Sequence, residues 1–202
     1  MSNDSQKLQV ISFELPFVDA LRDSKTPFRY VHTQLIQVGN PNYAIDIATR
    51  YGVPHIIPSV FEPECDAYTY QQRAGVPRGE GLRGIPADGS GRAVDVVAPQ
   101  QLTREARPFA AEVLKRMAAQ PRFGIGAEGI LCGRTTAFYG EQVGFEAIVE
   151  TKGQVSFTGQ FPGLATLQEA EGRRESVYGI RGASAFVDAD FVNCESLKHQ
   201  ID

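Results

Sequence analysis

FGIGAEGILCGRTT, Phe123 to Thr136, is the stretch on which the fold class turns. Gly124, Gly126 and Gly129 satisfy G-x-G-x-x-G, the spacing of a dinucleotide-binding turn. That turn works when a strand enters it and a helix leaves it, because the helix N-terminus supplies the amides and dipole that hold a pyrophosphate. Here the flanks come in the opposite order. Upstream, Pro108 suits the first turn of a helix over 108–119, with Phe109, Val113, Leu114 and Met117 as its apolar stripe and Pro121 closing it. Downstream, ILCGRTTAFY carries the threonines and aromatics that favour strand. The acidic residue that such a site places about twenty positions later would be Glu146 or Glu150, both inside a segment that reads as a hairpin. The glycines are therefore read as punctuation between a helix and a strand. The Walker pattern G-x-x-x-x-G-K-[ST] does not occur, and no cofactor is expected.

Outward from this stretch, period-two patterning dominates the C-terminal side. Val143, Phe145, Ala147 and Val149 share one face, TKGQ (151–154) reads as a turn, and Val155, Phe157 and Phe161 share the face of a return strand. SVYGIRGASAFVDADFV (176–192) adds one or two strands, with Tyr178, Ile180, Ser184 and Phe186 alternating. On the N-terminal side, LQVISFEL (8–15) puts Ile11, Phe13 and Leu15 on one face, and FRYVHTQLIQV (28–38) also reads as strand. Asn40 as N-cap and Pro41 at the first helical position predict a helix over about 41–51, with Ile45, Ala48 and Tyr51 buried. Gly52 then supplies the left-handed residue after the helix, and Pro54 bars its continuation. The proline-rich VPHIIPSVFEPECDAYTY (53–70) reads as irregular but packed, with one short edge strand at most. AVDVV (93–97) reads as a short buried strand. The sum is one α+β domain over 1–202. Its expected core is a mainly antiparallel sheet of six to eight strands with two or three helices packed on one face.

A chain of 202 residues is long enough to bury roughly 70% of its unfolded surface without covalent staples. The net charge of −4 argues against a surface that is one continuous nucleic-acid or anionic-membrane footprint, and no membrane partner is expected. Cys65, Cys132 and Cys194 are widely spaced with no C-x-x-C, and MSNDSQKLQV lacks the apolar run of a signal peptide. The simplest expectation is a reducing, cytoplasmic setting with Cys132 as a small core residue.

His55, Glu62, Glu64, Cys65 and Asp66 lie close in sequence but lack the paired Cys or His of a structural zinc site, so an acidic turn is expected and no metal. Asp188 and Asp190 fall on the same side of a strand, which suits the wet face of a half-exposed sheet. QQRAGVPRGEGLRGIPADGSGR (71–92) is the odd stretch. It holds six glycines and Arg73, Arg78, Arg83 and Arg92, has few apolar residues, and reads as one long loop. Arginine brings forked donors to an anion and glycine lets backbone amides approach it, while Tyr68 and Tyr70 just upstream suit base stacking. These six residues are the candidate ligand-binding set. The leading expectation is a non-catalytic binding or assembly subunit, oligomeric in action, whose loop contacts nucleic acid or a neighbouring subunit. The rivals are a small-molecule enzyme with a pocket over the sheet, using Cys132, His32 or the 62–66 carboxylates, and a phage or virion structural protein.

Overall fold

The computed structural model describes residues 9–39, 43–62, 82–101, 119–126, 129–133, 135–139, 149–162, 175–181, 184–188 and 192–197, with Val113, Arg116, Met117 and Leu164. In it the glycine fingerprint is neither a phosphate loop nor a helix-to-strand joint. Strand β6 (Arg122–Gly126) returns as β7 (Gly129–Gly133), and the ladder closes at the pair Gly126↔Gly129. Gly124 has a packing reason. A Cβ there would stand 1.4 Å from the carbonyl oxygen of Tyr51, so only glycine lets β6 pass this close to the chain behind the helix.

The remaining elements, numbered along the chain, are β1 (Val10–Val18), β2 (Phe28–Gln37), α1 (Tyr43–Arg50), β3 (His55–Glu62), β4 (Leu82–Pro86), β5 (Ala93–Gln101), β8 (Thr135–Tyr139), β9 (Val149–Thr158), β10 (Glu175–Arg181), β11 (Ser184–Asp188) and β12 (Val192–Asn193). A 3-10 turn, Cys194–Leu197, follows β12. The large sheet runs β10-β9-β5-β4-β3-β2-β6-β7-β12, with β1 also paired to β2, and β8 and β11 form a separate antiparallel pair. The sheet is mixed, because β2 runs parallel to both β3 and β6 while its other pairs are antiparallel. The fold is thus mainly β. Among the described residues α1 is the one α-helix seen from end to end, not two or three. Of the helix expected over 108–119, Val113, Arg116, Met117 and Ala119 are helical, and the rest lies outside the described residues.

Helix α1 follows the apolar stripe and the C-terminal signals of its sequence, while Asn40 and Pro41, expected to open it, lie outside the described residues. Ala48 and Tyr51 are buried against Val31, Ile36 and Val53, and Ile45 packs on them. Gly52 has a φ of 64°, its N–H donates to Thr49 O, and the Val53 N–H donates to Ala48 O, which together make the glycine-terminated cap the sequence called for. The main core sits on the opposite side of β2, where Ile11, Leu35, Ile57, Phe61 and Val94 are closed over by Phe161 and Leu164. Each large side chain buried there contributes about 1.5–3 kcal/mol. Ile11 and Phe13 join this core, whereas Leu15, opposite Tyr30, stays 57% exposed.

Two segments overturn their sequence reading. Residues 55–62 are no edge strand: β3 lies inside the sheet between β2 and β4. Pro58 is tolerated because its flanking residues carry the bonds to β2, as Ser59 O accepting from the Val38 N–H illustrates. On the other side Pro58 lies past the last β3–β4 pair, Ser59↔Pro86, and its carbonyl accepts the Ala87 N–H. Likewise TKGQ is no turn. It forms the middle of β9, paired with β10 on one edge and β5 on the other, with Gly153 buried opposite Val177.

Candidate functional site

The stretch expected as one loop over 71–92 divides at Leu82. Residues 82–86 are β4, regular sheet between β3 and β5. Gly84 lies on the core, where a Cβ would press Leu35, Ile11 and Phe61 at 3.0–3.3 Å. Residues 87–92 then turn into β5 with Gly89 and Gly91 at φ values of 71° and 72°. Before β4 the situation differs. The β3–β4 ladder ends at the pair Glu62↔Arg83, so these two strand ends are direct neighbours. Residues 63–81, nineteen in all, connect them, where about two to five would close a hairpin.

The six candidate residues separate accordingly. Tyr68, Tyr70, Arg73 and Arg78 belong to this connection and lie outside the described residues, as do Glu64, Cys65 and Asp66. Arg83 stands at its exit, its side chain 45% exposed. Asp95, its cross-strand partner, is 3.8 Å away, a contact loose enough to yield to a competing anion. Glu62 is exposed beside it. Arg92 is already committed: Nε donates to Ser90 Oγ at 2.8 Å, one terminal nitrogen to Gln160 O at 3.2 Å, and the other pairs with Asp88. Its guanidinium carbon lies 5.2 Å from the Phe161 ring centroid. Hydrogen bonds from Ser90, side chain first and then backbone, together with the Arg92 contact, pull the Asp88 carboxyl down to about 2. Arg92 thus fastens the β4–β5 turn to the end of β9, with all three of its guanidinium nitrogens engaged in that turn and its neighbour.

A second locus was not foreseen. Going from Phe13↔Thr33 to Glu14↔Val31, β2 carries one residue more than β1, so His32 is bulged. On its other edge β2 pairs with β3 over Thr33–Gln37 and with β6 at Arg29 and Tyr30, so the bulge falls where that edge passes from one partner to the other. His55 opens β3 opposite Thr33, and its ring centroid lies 4.9 Å from that of His32. Tyr30 extends the row towards Phe123, at 5.9 Å from His32 and 5.2 Å from Phe123. Burial, and then the charge of His55, lower the pKa of His32. The signal was present as two of the three histidines, but only the bulge and the parallel β2–β3 register join them.

No family model, curated protein or solved structure matches the chain.

The enzyme reading loses its thiol. Cys132, fully buried on β7, is disulfide-bonded to Cys194 at the start of the 3-10 turn, because the β12–β7 pair Val192↔Cys132 brings the two together. A disulfided sulfur cannot act as the attacking thiolate. Such bonds persist in oxidising compartments, so a cytoplasmic setting would need this pair to form under redox control. No helix among the described residues is long and apolar enough to cross a membrane, and none of them form a group of three or more metal-capable His, Cys, Asp or Glu side chains. The backbone of Asp188 ends β11, and Asp190 lies outside the described residues.

Proposed function

We propose that this protein is a non-catalytic binding or assembly subunit whose β3–β4 connection contacts single-stranded nucleic acid. One observation carries the reading: nineteen residues span two strand ends that are already hydrogen-bonded neighbours. The fold does not need that length, and a connection so much longer than its span is usually functional. Its chemistry suits a phosphate backbone with unstacked bases. Arg73, Arg78 and, at the exit, Arg83 offer forked cationic donors, and Tyr68 and Tyr70 offer faces for stacking. Arg92 is left out of the contact set, since its donors serve the neighbouring turn. The mild negative net charge suits a local contact strip on a polymer held mainly by other subunits.

Mobility-shift titration of single-stranded RNA and DNA at two salt concentrations tests this. Affinity should fall as salt rises. The double variant R73A/R78A should bind at least about tenfold more weakly and reduce the salt slope by about 1.4, two phosphate contacts' worth on a single strand. Binding that is unchanged in R73A/R78A/R83A removes the assignment. Light scattering with and without the oligonucleotide separates a polymer contact from contact with another copy of the chain.

A further inference from the structure

We propose that His32 and His55 form a binding site for a tetrahedral divalent metal ion of the zinc type, open on the side away from the protein. The ring spacing is the first argument. A zinc–nitrogen bond of about 2.0–2.1 Å and an imidazole radius of about 1.1 Å put each ring centroid about 3.2 Å from the metal, so two rings at the tetrahedral angle stand about 5.2 Å apart. The observed spacing is 4.9 Å.

The second argument is how His32 is held. Its Nδ1 lies 2.8 Å from Thr33 Oγ1, and Thr33 is fully buried, so the hydroxyl is a fixed partner. A metal-binding histidine characteristically engages its second ring nitrogen in a hydrogen bond, which fixes the orientation of the ring. With Nδ1 occupied, Nε2 is the ligating atom.

The third argument is location. Both histidines are half-buried, at the bulge where the edge of β2 passes from β6 to β3. Tyr30 walls one side. The described residues supply no third His, Cys, Asp or Glu, so the remaining coordination positions fall to water or to an anionic oxygen ligand such as a phosphate or carboxylate. The site is independent of the nucleic-acid reading, being built from other residues, at the opposite end of β3 from the 63–81 connection.

Calorimetric titration of the full chain, disulfide intact, with zinc chloride tests the proposal, alongside cobalt(II) as a spectroscopic stand-in. We expect one ion per chain and the strong visible absorption of tetrahedral cobalt. H32Q and H55Q should each weaken zinc binding at least about tenfold. T33V, which removes the positioning hydroxyl while keeping its shape, should weaken it by about tenfold too. H199Q and C65S should leave binding unchanged. Zinc should also raise the Tm of the native chain but not that of H55Q, a readout that holds even where H32Q folds poorly. Absence of binding, binding that survives H55Q or is lost in H199Q or C65S, or a weak six-coordinate cobalt spectrum would each overturn the site.

Discussion

Two consecutive connections in one sheet, 63–81 between β3 and β4 and 87–92 between β4 and β5, are both marked by glycine and arginine, and the fold uses them differently. In the shorter one the polar side chains Asp88, Ser90 and Arg92 engage one another at the surface. Asp88 accepts from the Ser90 N–H at 2.9 Å, and Arg92 ties the turn to Ser90, Asp88 and Gln160. In the longer one the strand ends are already joined by the ladder, and nineteen residues connect them where about two to five would suffice. Composition does not separate the two. Register does, because it states how far the chain must travel and hence how much of it the fold leaves over.

The sharpest way to break this contrast is to remove the longer connection. Replacing 63–81 by Thr-Asn-Gly, which sets Thr opposite Leu82 in the existing register and closes a two-residue hairpin, should lower affinity for single-stranded RNA at least a hundredfold. A single cooperative thermal transition should remain. Retained affinity would show that the surplus chain is not the contact. Next comes the pair of charge variants. R73A/R78A should cost about tenfold or more in affinity, whereas R92A should bind within twofold of the native chain. The converse holds for stability. R92A should lower the Tm by a few degrees, since about 1 kcal/mol shifts a chain of this size by about 2–4 °C, and R73A/R78A should not move it.

The smallest effect is in the acid limb. Asp88 titrates at about 2 in the fold against a usual 3.8. A carboxyl depressed in the folded state stabilises above its unfolded value, and that contribution fades as pH falls from about 3.8 to about 2. The Tm difference between native protein and D88N should therefore be constant above pH 5 and shrink between pH 4 and 2. Thermal scans across that range check it. A difference that persists at pH 2 would mean the turn is held by something other than this carboxylate.

Local signals carried part of the architecture. FRYVHTQLIQV is β2, and the stripe Ile45, Ala48, Tyr51 with Gly52 behind it is α1 and its cap. The fingerprint glycines, read as a joint between helix and strand, instead lie in a strand pair, and the reason for Gly124 lies in Tyr51, seventy-three residues upstream. What could not be read was whatever depends on distant partners. Pro58 argues against a central strand until the bond directions to β2 and Ala87 are known. Lys152 and Gly153 look like a turn until β5 and β10 flank them. Cys132 and Cys194 are separated by 62 positions and meet only through β12. His32 and His55 meet through one inserted residue in β2. Of the candidate contact residues, the sequence could not show that Arg92 is spent within the fold while Arg83 is only loosely held.

Photo-crosslinking to a uridine-rich single strand, with the modified peptide located by mass spectrometry, asks most directly where the protein touches its polymer. The expected adduct lies within 63–81, at Tyr68 or Tyr70, and is lost when R73A/R78A weakens binding. A bound complex whose adducts fall only elsewhere, with none in that peptide, would contradict the assignment.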